Sequence, residues 1–141
     1  MIEVINLSYR YPRTKKPVLS NISFKVKTGE FIAIMGKNGA GKTTLCQCLN
    51  GIIPNSKRGL MKGRVQVAGL DTRAVPIAKL AQKAGMVLDD PETQLFTTKV
   101  SSEIAFGPEN LSVPVKEIEK IISWALGVVQ LEGYENRLPT A

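Results

Sequence analysis

"FIAIMGKNGAGKTTL", residues 31–45, decides the fold. Five apolar residues run unbroken from Phe31 to Met35, which predicts a strand covered on both faces, as in a parallel sheet. Gly36–Thr43 then reads G-K-N-G-A-G-K-T and matches the spacing G-x-x-x-x-G-K-S/T. That spacing serves to wrap a polyphosphate in backbone N–H groups at a helix N-terminus. Gly36, Gly39 and Gly41 let the main chain approach without a Cβ, and Asn38 and Ala40 add their amides to the wrap. Lys42 stands where it neutralises the β and γ phosphates, and the Thr43 hydroxyl where it ligates Mg²⁺. Thr44 is a candidate for a further phosphate contact. The following TTLCQCLNGI reads as a short helix closed near Gly51 and Pro54. Strand, glycine loop and helix together predict nucleotide binding.

Outward from the loop, the chain reads as α/β. Ile2, Val4, Ile5 and Leu7 suggest a first strand. In NISFKVK, Ile22, Phe24 and Val26 alternate with polar residues, as in a half-buried antiparallel strand. RVQVAG (64–69) alternates again. DTRAVPIAKLAQK (71–83) predicts a turn and then a helix with Pro76 in its first turn, and GMVL (85–88) a second short buried strand. The polar DDPETQ breaks the pattern, and VSSEIAFG predicts a short helix ending at Gly107–Pro108. Past Pro114, Ile118, Ile121, Ile122, Ala125, Leu126 and Val129 follow helical spacing. Strands dominate early and helices late, so the expected division is 1–89 and 90–141.

A formal charge of +7 comes from 19 Lys and Arg against 12 Asp and Glu. Arg13, Lys15 and Lys16 form one basic cluster, and Lys57, Arg58, Lys62 and Arg64 another. They belong either to solvated loops or to a surface that meets an anionic ligand or anionic lipid. Nucleic acid is not expected as a partner, because no aromatics interleave with these charges. There is no histidine, which excludes His-based triads and His-containing metal sites within the chain. Cys46 and Cys48 read as small apolar helix residues in a reducing compartment. The first residues have no secretory pattern, and no stretch reaches 18 consecutive apolar residues, so a membrane role requires a partner protein.

The order of these segments resembles the nucleotide-binding subunits of ABC transporters, with a P-loop NTPase core, an N-terminal antiparallel β subdomain and a helical subdomain. Within that superfamily, DDPETQLFTTKVSSEIAFGPENL (89–111) is similar to the energy-coupling-factor and cobalt-type importer ATPases, whose pattern runs close to Q-N-P-D-x-Q-L-F and then A-F-G-P-E-N. The resemblance spans essentially all 141 residues, and AFGPENL (105–111) is its most family-specific part. It implies ATP and Mg²⁺ as ligands, a transmembrane transporter subunit docking near residues 94–110, and a second ATPase subunit across the ATP. The implied place is the cytoplasmic face of the membrane, reached only through that partner, and the implied cargo is a metal ion such as cobalt or nickel, or a vitamin.

Residue by residue, the resemblance puts Tyr11 at the adenine-stacking position; the alternative is a surface tyrosine in a basic loop. Asp89 falls where the family has a glutamine that senses the γ-phosphate and Mg²⁺, which makes Asp89 a catalytic and metal-binding candidate beside Lys42 and Thr43. Its carboxylate either approaches the metal or is merely solvated. Gln94 matches a second glutamine of the pattern, with a surface contact as its expected role. The signature loop, the acidic Mg²⁺ ligand after an apolar strand, the adjacent glutamate and the switch histidine are absent from this sequence. The expectation is therefore the N-terminal part of a longer ATPase, binding ATP without turning it over alone and exposing an apolar edge beside 31–35. Two rivals stand: a non-hydrolysing nucleotide-binding module, and a soluble ABC ATPase without a membrane partner.

Overall fold

A computed structural model describes residues 1–140, in two compact units, Met1–Met86 and Val87–Ala141. The first is a four-stranded antiparallel sheet. Its strands are β1 (Ile2–Arg10), β2 (Leu19–Val26), β3 (Leu60–Val67) and β4 (Leu70–Asp71), in the order β2-β1-β3-β4. Helix α1 (Lys42–Leu49) follows the glycine loop, then a short helix α2 (Ile52–Asn55) and α3 (Ile77–Ala81). Val4, Leu7, Tyr9, Val65 and Val67 of the sheet share a core with Leu45 and Cys48 of α1, and Ile53 and Leu80 complete it.

The spacing of Val4 and Leu7 breaks strict alternation, yet both are buried. A register shift against β3 between Ile5 and Ser8 explains it: the bulge turns the inward face from even to odd positions. Asn6 takes φ 48° and Gly63 opposite it φ 83°, and a Cβ on Gly63 would collide with the Asn6 carbonyl. Glycine is required there.

Two expected strands do not form. Neither Phe31–Met35 nor 85–88 is a strand, and Phe31 and Met35 are 95% and 90% exposed. A strand exists only where neighbours take its N–H and C=O groups. Among the described residues no segment pairs with either run, and the sheet is wholly antiparallel. The exposed apolar surface expected beside 31–35 is thus the run itself.

The second unit is helical, with a 3₁₀ turn at Pro91–Gln94, then α4 (Val100–Asn110) and α5 (Val115–Val128). Ala105, Ile118 and Leu126 are buried in it, with Ile121, Ile122 and Ala125 half-buried, as the helical spacing predicts. Val129 differs: it is the C-cap of α5 and 59% exposed. Helix α4 also runs past its expected end at Gly107–Pro108. Pro108 forfeits one intrahelical bond near the C-terminus, and the Asn110 side-chain amide donates to the Phe106 carbonyl at 2.8 Å. At the other end, Val100 and Ser101 N–H donate to the Arg137 and Glu135 carbonyls, each at 3.0 Å.

Candidate functional site

The glycine loop ends at Gly41, the N-cap of α1, with φ 95°. A Cβ there would stand 3.0 Å from Val18 Cγ1 and 3.2 Å from the Val18 carbonyl. Val18 N–H in turn donates to the Tyr9 carbonyl at 2.8 Å. The loop is thereby seated against the entry to β2, and only glycine fits the seat.

Lys42 folds back into the loop. Its Nζ donates to the Gly36 carbonyl at 2.8 Å and the Lys37 carbonyl at 3.1 Å, while Ala40 N–H donates to Lys37 O at 3.1 Å. Gly39, with φ 79°, turns the crest, and Asn38 is exposed there. Helix α1 has no side-chain cap and no acidic residue in its first turn. The N-terminus of α1 and the Lys42 ammonium therefore bring positive charge to one place, the arrangement an anion occupies. A phosphate chain fits this cradle, where glycine is sterically required and the cation is already held.

Thr43 is exposed at the helix start. Thr44 is not: it is 6% exposed, and its hydroxyl shares a 3.0 Å hydrogen bond with the Tyr11 hydroxyl. The Thr44 hydroxyl thus faces Tyr11 inside the fold. Tyr11 is half-buried and meets the Tyr9 ring edge-on, centroids 4.9 Å apart at 82°. The structure thus joins Tyr11 to the helix carrying the loop, across 33 residues of sequence. Spacing gives no signal for such a bond.

Asp89 belongs to the other unit, exposed in the segment before the 3₁₀ turn. Gln94 does more than make a surface contact. Its Oε1 accepts from Leu88 N–H at 3.1 Å, and Thr93 Oγ1 donates to the Asp90 carbonyl at 2.8 Å, so the turn grips the segment that carries Asp89. Glu103 is a residue that sequence reasoning missed. It accepts from Thr97 Oγ1 at 2.6 Å, Thr97 N–H at 3.0 Å and Phe96 N–H at 3.4 Å. The Thr97 hydroxyl, then its backbone N–H, hold the Glu103 carboxyl below the usual glutamate range. The grip presents Phe96 edge-on to Phe106, centroids 4.6 Å apart, with the rings 62% and 45% exposed.

No group of three His, Cys, Asp or Glu among the described residues is arranged to hold a metal. Mg²⁺ beside a nucleotide needs no such cage, since it takes one or two protein oxygens plus phosphate oxygens and water. The Thr43 hydroxyl fits that role. Among the described residues, no helix is long and apolar enough to cross a membrane.

A sequence profile of the ABC transporter family matches residues 19–140. The chain belongs to the ABC transporter ATP-binding family. It is 48% identical over 140 residues to an ABC transporter ATP-binding protein of Caldanaerobacter subterraneus, covering 99% of this chain and 25% of that protein. It is 38% identical to the energy-coupling factor transporter ATP-binding protein EcfA of Syntrophomonas wolfei, covering 99% of this chain and 50% of EcfA. Among solved structures, CbiO1 of Clostridium perfringens, part of the ABC transporter complex CbiONQ, superposes with a TM-score of 0.81 at 32% identity, over 97% of this chain and 53% of CbiO1. This ABC chain spans a quarter to a half of the curated relatives it matches. The α/β fold of the ABC ATPase type is shared with CbiO1.

Proposed function

We propose that the chain is the nucleotide-binding part of an ABC importer of the energy-coupling-factor type. Bound MgATP is hydrolysed by the complete protein to drive uptake of a metal ion, cobalt or nickel, or a vitamin. The observation that carries this reading is the Lys42 ammonium, held over the loop by the Gly36 and Lys37 carbonyls at the uncapped end of α1. Phosphoryl transfer to water rests on positioning and charge stabilisation. Lys42 and the amides of Gly36–Thr43 supply the charge for the β and γ phosphates, Thr43 an oxygen for Mg²⁺, and Tyr11 a ring for adenine. Residues 1–89 serve as the N-terminal part of the core and 90–141 as the start of the helical subdomain.

The partners on this reading are a transmembrane transporter subunit and a second ATPase subunit, at the cytoplasmic face of the membrane, with membrane contact only through the transporter subunit. The exposed Phe96–Phe106 pair supports a protein partner at residues 94–110, since two adjacent exposed rings make an anchor of the kind interfaces use. Likeness to EcfA and CbiO1 supports the importer class. A non-hydrolysing nucleotide-binding module is the second reading, favoured by Asp89 standing where the importer pattern has glutamine.

Turnover by the complete protein separates the two. Phosphate release that vanishes in Lys42→Ala is expected; release that persists in Lys42→Ala, or no release from the intact protein at all, rejects the hydrolytic reading.

A further inference from the structure

The two basic clusters of the sequence, far apart along the chain, meet on the first unit. Tyr9 does the joining. Burial pushes its hydroxyl pKa up, so it stays a donor, and it donates to the Arg58 carbonyl at 2.9 Å. Gly59 lies so close to that ring that a Cβ would stand 2.6 Å from it, so the Arg58–Leu60 segment lies flat on the end of β1. Leu60 then pairs with Arg10 and Lys62 with Ser8. On the other side, the Arg10 guanidinium donates to the Thr14 carbonyl and folds the 11–16 loop back toward β1.

Between them opens a cleft of about 320 Å³, with Arg10, Lys15 and Lys62 supplying charge and Tyr9, Pro17 and Leu60 its less polar walls. Among the described residues, no carboxylate lines it. Among the described residues, the ion pairs of this unit are Lys25–Glu3 and Arg64–Asp71, and neither involves the cleft cations. None of its lining belongs to the glycine loop 36–44. Three basic residues lining one cleft with no carboxylate among the lining residues make it locally positive, and such a cleft favours an anion. Walls of mixed polarity and a volume at the small end of ligand pockets suit a compact anion bearing an organic body, not a long polymer.

We propose that this cleft is a phosphoester site, separate from the glycine loop, which takes the phosphate of a small organic ester or of a phospholipid headgroup. The probes are glycerol 3-phosphate, titrated calorimetrically, and co-sedimentation with vesicles of phosphatidylcholine with and without phosphatidylglycerol. The variants, made in the full chain, are Lys15→Gln/Lys62→Gln and, as an equal loss of charge elsewhere, Lys79→Gln/Lys83→Gln. The cleft pair is expected to lose about tenfold in affinity for at least one probe, while the control pair keeps it and both retain their MgATP affinity. A response to glycerol 3-phosphate identifies a soluble ester, and a response to phosphatidylglycerol vesicles alone identifies a headgroup. Equal weakening by both pairs, binding of neither probe by the natural protein, or loss of phosphoester binding in Lys42→Ala each overturns the proposal.

Discussion

Residues 1–86 carry 15 Lys and Arg against three Asp and Glu, whereas residues 87–141 carry four against nine. The net +7 of the whole chain conceals two units of opposite sign. Their architecture divides the same way. The basic unit is an antiparallel sheet that seats a glycine loop and gathers cations; the acidic unit is helical, with its carboxylates used for local structure, as in Glu103 and the Lys120–Glu117 pair. The difference teaches that positive charge in this ABC domain is a property of the sheet unit as a whole. The loop is its most organised point.

That contrast is broken most severely at Gly41. Gly41→Ala puts a Cβ into Val18 at a φ that alanine resists, with an expected stability loss of about 2 kcal/mol and a parallel fall in MgATP affinity. Urea unfolding of both proteins checks it; an unchanged midpoint would mean that the seat against Val18 is loose.

Tyr11 sharpens the division of labour within the basic unit. Tyr11→Phe leaves the Thr44 hydroxyl without its partner in a buried place, so stability falls by about 1 kcal/mol while MgATP affinity holds. Tyr11→Ala also removes the ring, and affinity falls by about 1 to 3 kcal/mol, the scale of a base stacked on an aromatic. Calorimetric titrations of both variants decide the matter. Equal affinities across the natural protein, Phe and Ala would show that the ring never meets adenine.

Asp89 tests whether the acidic unit reaches into nucleotide chemistry. Aspartate only accepts and adds charge, where glutamine is neutral. The Mg²⁺ dependence of ATP binding should be steeper in the natural protein than in Asp89→Gln, by about fivefold in half-saturating Mg²⁺ for one screened charge near a phosphate. Superimposable titration curves would confine nucleotide chemistry to the basic unit.

The smallest effect is expected at Glu103. Its folded pKa lies below its ordinary value, so its contribution is present at neutral pH and is lost as pH falls through that lowered value. Acid titration of the helical circular dichroism signal should show a step that Glu103→Gln lacks. Identical profiles would mean that the Thr97 contacts do nothing for the fold.

The glycine loop was legible because its chemistry is local: four constrained positions, a preceding apolar run and a following helix. The alternation of NISFKVK and the spacing of Ile118 to Leu126 were legible for the same reason, one period on one element. What escaped was non-local. Phe31–Met35 has the composition of a buried strand, but pairing comes from other segments, and none of the described residues provides it. The bulge at Asn6 and Gly63, the Tyr11–Thr44 bond and the meeting of Lys15 with Lys62 each join residues that no short window contains.

Helix α1 also carries its own attachment point for a chemical reporter. Burial raises the Cys48 thiol to about 12, so at neutral pH it holds almost no thiolate and lies inside the core. Cys46, half-buried two residues earlier, lies on nearly the opposite side of the helix. Maleimide at neutral pH should therefore modify Cys46 well before Cys48, with no engineered cysteine required. A fluorophore placed there sits one helical turn from Lys42, close enough to register whatever enters the loop as a change in its emission.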